Sequence, residues 1–258
     1  MLTLAQTGSF YEIVRRKRLT PHAKQWGSLA ACAQYRLPYR KTAQYVREDF
    51  LCLDWGCGNG HFSFFLLQNG LQTHGYSFAD PAAFLASENR FQHTQGLTSE
   101  PIALPYASET YDTVFSVGVL EHVHQTGGDQ FRSVREIERV LKRGGLFLVY
   151  HLPNRFAWIE FLARSLNRLT KRKRHAHSRL FSARTVRDLI EGTSLEILES
   201  GRYNFIPRNM LNRFPPSLVN SPFVCRVIDA ADDILSAMLP LFCQNWFFIL
   251  RKRADRKW

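Results

Sequence analysis

Leu51-Cys52-Leu53-Asp54-Trp55-Gly56-Cys57-Gly58-Asn59-Gly60 begins as an apolar run and ends with three glycines in five residues. A short apolar run bounded by a glycine cluster reads as a strand buried in a parallel sheet. Glycines at its end let the chain turn tightly and let a ligand approach the backbone. Residues 61–68 then read as a helix that Gly70 stops. A strand, a glycine turn and a helix can hold a nucleotide cofactor, but the turn alone is shared by many binders. Two details narrow the reading. The spacing is G-x-G-x-G, with His61 where a dinucleotide G-x-G-x-x-G motif needs glycine, and an acid, Asp54, precedes the turn. An acid suits a cationic nucleoside better than a diphosphate. The alternative is a tight turn in which Asp54 only caps the next helix.

Outward from this stretch the pattern alternates. Residues 73–78 read as a strand and 81–90 as a helix; 111–117 (YDTVFSV) is a β-branched and aromatic strand. Residues 130–141 place Phe131, Val134, Ile137, Val140 and Leu141 at helical spacing, Gly144-Gly145 is expected to end that helix, and 146–151 (LFLVYH) is another strand. A helix near 183–190, a strand near 195–200 and a final strand at 245–252 follow; residues 1–49 are mostly helical and amphipathic. Strands alternating with helices predict an α/β, doubly wound sheet with helices on both faces. Ligands of such sheets bind beyond the carboxyl ends of the strands, here near residues 55–60, 77–80, 116–122 and 151–154.

Taken in order, these segments resemble the class I S-adenosylmethionine-dependent methyltransferases of the small-molecule type. LCLDWGCGNG is similar to the family's first motif. Leu104-Pro105-Tyr106 with Tyr111-Asp112-Thr113-Val114 resembles its "LPF…FD" approach to the fourth strand, and Leu120-Glu121-His122-Val123 its "LEHV" segment. Val140-Leu141-Lys142-Arg143-Gly144-Gly145 is similar to its "VLKPGG" turn, with Arg143 in place of proline. His177 to Phe181-Ser182 resembles the "H-x-x-x-F-[ST]" that opens the next helix. The resemblance spans residues 50–205. It implies a Rossmann-like, mostly parallel seven-stranded sheet with S-adenosyl-L-methionine as cofactor and no metal. The expected divisions are a helical N-terminal lid over 1–49 and a core over 50–258, the core including a basic amphipathic insert at 154–182 after the fifth strand and a C-terminal helical region with the last strand at 220–253.

The family's cofactor positions fall on Asp54, Gly56, Cys57, Gly58, Asn59 and Gly60 for the methionine end and ribose side of the turn. Ser77, beside Phe78, stands where the family usually has a ribose-binding acid, with Asp80 slightly later. Glu100 and Pro101 stand at the adenine position, and Ser116, Val117 and Gly118 at the methionine moiety. In methyl transfer the cofactor carries the hard chemistry while the protein orients and excludes water. A base helps where the nucleophile holds its proton, and histidine suits neutral pH. His122 and His151 are the candidate catalytic residues. His124 and His177 are secondary candidates, and Glu121 reads as structural. Tyr11, Trp26, Arg36 and Arg40 are candidate lid residues, the arginines at a distance where related quinone enzymes meet the cofactor carboxylate.

Composition bounds the rest. In 258 residues, 45% hydrophobic content excludes disorder over most of the chain. The five cysteines (Cys32, Cys52, Cys57, Cys225, Cys243) form no CxxC pair or zinc spacing and fit a reducing interior. The N-terminus does not read as a signal peptide, and the apolar stretch 234–250 is too short and broken to span a membrane. A net charge of +12 attracts anionic partners. In 154–182, apolar Phe156, Ile159, Leu162, Leu166 and Leu169 fall near one helix face, followed by Lys171, Arg172, Lys173 and Arg174. That combination suits an anionic membrane surface. The expected function is O-methylation of a small-molecule or lipid-linked acceptor, glycan or quinone-like, by a cytoplasmic enzyme peripheral to a membrane. RNA or protein methylation and a non-catalytic scaffold are the alternatives; oligomeric state is open.

Overall fold

The computed structural model describes residues 6–170 and 177–254. The run Lys171, Arg172, Lys173, Arg174 lies outside the described residues. Helices α1 (Thr7–Arg16), α2 (Leu29–Cys32) and α3 (Arg36–Tyr45) precede β1 (Leu51–Trp55), α4 (His61–Gln68), β2 (Gln72–Ser77), β3 (Phe91–Gln95) and β4 (Tyr111–Val117). After them come α5 (Gln130–Val140), β5 (Leu141–Pro153), α6 (Trp158–Thr170), α7 (Ala183–Ile190), β6 (Leu195–Tyr203), α8 (Pro216–Val219), α9 (Pro222–Met238) and β7 (Asn245–Lys252). The strands form one seven-stranded sheet in the order β3-β2-β1-β4-β5-β7-β6. Only β7 is reversed, antiparallel to β5 and β6. Strand order changes direction between β1 and β4, which makes their carboxyl ends the crevice of the sheet.

The continuous apolar character of β1 has a simple cause: both faces of the sheet are covered. Cys52, Phe115, Leu148 and Ile249 face the core under α1, α3 and α4. Their neighbours Leu53, Val114, Phe147 and Phe248 face the core under α5 and α7. The two-residue period of a strand thus sends successive apolar side chains into opposite cores. Helix α4 is apolar all round because it lies between the sheet and the N-terminal helices. Phe10 meets Phe65 edge-on at 5.4 Å, and Tyr39 stacks on Phe65 at 4.0 Å. Residues 7–45 are therefore a packed layer over α4.

The chain's late segment clasps this layer. Tyr11 donates to Asn220 Oδ1 at 2.9 Å, the Leu29 amide to the same oxygen at 3.0 Å, and Ser28 to Asn212 Oδ1 at 2.6 Å. Arg208 is buried between Asp229 and Asp232 of α9, so its charge is compensated where desolvation would otherwise be costly.

Four local features differ from the sequence reading or escaped it. Residues 81–90 hold a 3-10 turn at Ala83–Leu85, not a helix; Phe84 and Leu85 are drawn singly into the core, leaving no amphipathic stripe to sustain one. β3, FQHTQ, is a strand the sequence hid, because an edge strand half exposed to solvent needs no apolar alternation. Gly144 and Gly145 lie within β5, where the register against β4 shifts, and do not stop α5, which ends at Val140. Phe131 is exposed on α5. Among the described residues no helix is long and apolar enough to cross a membrane.

Candidate active site

The carboxyl end of β1 delivers Asp54 and the glycine turn into the crevice. Gly56, Gly58 and Gly60 have φ of 75°, 50° and 72°, values that side chains resist. The amides of Gly56 and Cys57 both donate to the Tyr76 carbonyl, at 2.8 and 3.0 Å, tying the turn to the end of β2. A Cβ at Gly60 would stand 2.2 Å from Leu85 Cδ1, so that turn and the wall beside it fit only with hydrogen at this position. Asp54 is 2% exposed and accepts the Ser63 hydroxyl at 2.6 Å. It thus braces the first turn of α4. Burial raises its pKa to about 6, against the lowering effect of Ser63.

The other expected cofactor positions scatter around this turn. Ser77 closes β2 with its hydroxyl donating to the Ala79 carbonyl at 2.7 Å and 3.0 Å from His93 Nε2. Phe78 is half-buried and Asp80 exposed. Glu100 sits in an exposed turn, and Pro101 lies against Gly127. Asn59 Oδ1 is 3.0 Å from His61 Nδ1. Cys57 is buried, and burial raises its thiol to about 12. Ser116 is fully buried between β1 and β5 with no hydrogen-bond partner for its hydroxyl; Val117 pairs with Tyr150 across β4 and β5. Gly118, at φ 70°, sits where the mouth narrows: a Cβ there would be 3.6 Å from Glu121 Oε1 and 4.0 Å from His151 Cβ.

Around Gly118 the side chains converge. His151 ends the run of β5 that sequence made visible, adopts φ 57°, and donates its amide to the Tyr203 hydroxyl at 2.8 Å. Its ring lies 4.3 Å from Tyr35, which also meets His61 at 4.7 Å. Burial, and then His61, push His151 down to about 3; burial pushes His61 down to about 4. Both rings are neutral at physiological pH. Glu121 is 4% exposed, and burial raises it to about 7. His122 Nε2 is 3.9 Å from Glu121 Oε1, with its ring 6.1 Å from His177. His177 Nδ1 is 2.5 Å from Glu160 Oε1 on α6; that hydrogen bond raises His177 against its burial. His124 Nε2 is 3.0 Å from Ser178 Oγ.

The N-terminal candidates go elsewhere. Arg36 forks onto Asp233 of α9 at 2.5 and 2.9 Å, Arg40 is exposed, Trp26 is fully buried, and Tyr11 joins the clasp at Asn220. Of the two expected arginines, Arg36 is thus held in an ion pair to α9. Sequence reading passed over Tyr35 and His61 as site residues. The signal for His61 was its place as the first residue of the helix after the glycine turn; Tyr35 showed only as an apolar contact position of the N-terminal segment.

Residues 53–149 match the family model described as "Methyltransferase domain". The chain is 27% identical over 111 residues to the human "Probable tRNA methyltransferase 9B", covering 43% of this chain and 23% of that protein. It is 27% identical over 113 residues to the Caenorhabditis elegans "Sterol 4-C-methyltransferase strm-1", covering 42% and 32%. The chain thus spans less than two thirds of the length of these relatives. Among solved structures, the Burkholderia thailandensis 1,6-didemethyltoxoflavin-N1-methyltransferase, with bound 1,6-didemethyltoxoflavin and S-adenosylhomocysteine, superposes with a TM-score of 0.52 at 16% identity, over 83% of this chain and 75% of that one. The matched residues run from β1 through the glycine turn into β5, and the solved structure shares the fold.

Proposed function

We propose that the protein transfers the methyl group of S-adenosylmethionine to an oxygen of a small-molecule or lipid-linked acceptor presented at a membrane surface. Asp54 and the backbone of residues 56–60 hold the cationic methionine end, Ser77 and Glu100 the ribose and adenine, and Ser116, Val117 and Gly118 line the sulfonium side. Methyl transfer displaces a neutral sulfur in line, so the protein's task is to orient the acceptor and keep water out. Tyr35, His61 and His151 supply a neutral, aromatic wall for this, and His151 and His122 face the acceptor. His151, held neutral, positions by hydrogen bonding and does not store a proton.

The observation that carries the acceptor class is the surface beside the mouth. On α9, Phe223, Val227, Ile234 and Met238 share one exposed face. On α6, Phe161 and Leu169 are exposed. A cavity of about 380 Å³ lined by Arg155, Phe156, Trp158, Phe161, Arg164 and Phe242 joins α6 to the turn after α9. Apolar side chains beside arginines match the boundary between acyl chains and anionic headgroups. Residues 154–158 run from the end of β5 to α6, so the α6 side of this surface adjoins the end of β5.

RNA is the second reading, favoured by the human relative's name and the +12 charge. Incubation with methyl-labelled S-adenosylmethionine and separate lipid, RNA and protein pools distinguishes them. Label is expected in the organic-soluble fraction; label confined to RNA transfers the assignment to the second reading.

A further inference from the structure

The acceptor edge of the mouth holds one constellation that methyl transfer alone leaves unused. We propose that Glu121, His122 and His177 bind a divalent transition-metal cation whose open positions take two neighbouring oxygens of the acceptor. One ligand atom from each residue lies within 4.8 Å of the others. Bonds of roughly 2.1 Å to a common ion put neighbouring ligand atoms of a facial set about 3 Å apart. Closing the site therefore needs the side chains to draw together, and the half-exposed His122 has room to turn inward.

Two imidazoles and one carboxylate make the facial set that leaves coordination positions open for substrate. Glu121 is nearly fully buried, and its Oε2 has no hydrogen-bond partner. A buried carboxylate oxygen left in this state is costly, and a cation beside it offsets that cost. The supporting layer is also present. Glu160 takes His177 Nδ1 at 2.5 Å through Oε1 and the His177 amide at 3.2 Å through Oε2. A carboxylate on one ring nitrogen fixes the ring and makes the other nitrogen the metal donor. Arg164 donates to the His177 carbonyl at 3.0 Å, which anchors the same segment to α6. The three ligands come from the loop after β4 and from the segment after α6, so the ion would join the cofactor crevice to the basic insert.

The chemistry follows from position. Gly118 separates the sulfonium side from Glu121. An acceptor hydroxyl on the ion loses its proton to solvent more readily than a free one. Its oxygen then forms the bond to the methyl carbon as the carbon–sulfur bond breaks, the electron pair leaving on sulfur. The acceptor class is a compound with two adjacent oxygens, such as a vicinal diol, a catechol or a hydroxyl beside a phosphate.

This inference rests on the methyltransferase reading for its chemistry, but not for its test. The full chain, stripped with a chelator, is titrated calorimetrically with Mn²⁺, Co²⁺ and Zn²⁺, and Co²⁺ binding is followed by visible absorption. One equivalent is expected to bind. The double variant His122→Ala/His177→Ala should lose it, and Glu160→Gln, which does not touch the ion, should weaken it about 10- to 100-fold. S-adenosylmethionine titrations of the same samples report that each variant is folded, and separate failure of the metal site from failure of the cofactor assignment. No binding by the wild-type chain, or equal binding by the double variant, overturns the proposal.

Discussion

The two halves of the mouth are built from different material. The half proposed to hold the cofactor is backbone: three glycines with positive φ, two amides on the Tyr76 carbonyl, and one acid behind them. The half proposed for the acceptor is side chains gathered from distant segments: Tyr35, Glu121, His151, His177 and Tyr203. A backbone cradle fixes one ligand and leaves no room for a Cβ at Gly56 or Gly60. A wall of side chains can change with the acceptor while the sheet stays the same.

That contrast breaks most sharply at Gly60. Gly60→Ala combines a clash with Leu85 and a residue forced to positive φ, and should lower S-adenosylmethionine affinity at least 100-fold by calorimetry. Gly58→Ala meets nothing nearer than the Gly56 carbonyl at 3.8 Å, so only the left-handed penalty of about 1–2 kcal/mol applies. Equal losses at the two positions would mean that the clash is not what constrains the turn.

His151→Asn tests the other half. Asparagine tolerates positive φ, so the fold and cofactor affinity should stay within a few-fold of wild type, while transfer falls about 10- to 100-fold. Because His151 titrates near 3, its removal should leave the pH dependence of transfer between 5 and 8 unchanged. A lost inflection in that window would refute the neutral-ring assignment.

Under the proposed cofactor assignment, Asp54 trades stability for binding. Its folded pKa, about 6, lies above its ordinary 3.8. Between those values the native state holds a proton that the unfolded chain releases, so the stability of the ligand-free protein declines as pH rises through this window. The loss reaches on the order of 3 kcal/mol above pH 6. Asp54→Asn should therefore be more stable than wild type at pH 8, with the gain vanishing near pH 4, in denaturant titrations at several pH values. The same variant should bind S-adenosylmethionine more weakly, and wild-type affinity should fall as pH drops through about 6.

The smallest effect is expected at Ser77. Ser77→Asp restores the acid usual at the ribose position and should tighten binding several-fold, since hydrogen bonds to a charged acceptor are the stronger kind. Unchanged affinity would indicate that the contacts of this position with Ala79 and His93 keep it from the ribose.

The sequence by itself determined the sheet, the crevice and the glycine turn. Those features rest on local chemistry: an apolar run reads as a strand whichever neighbours it later meets, and glycines mark positive φ before any contact is known. The same logic failed where local signals are weak, at the edge strand β3 and at residues 81–90, whose two apolar side chains insert singly into the core. Only tertiary structure decided the acceptor end. Arg36 gave no sign that Asp233, 197 residues later, would claim it. Nor could spacing place His177 beside Glu121 and His122, because the helix that carries Glu160 lies between them in the chain and folds back to set that ring. Contacts between side chains far apart in sequence depend on how the layers pack, and that packing is a property of the whole fold.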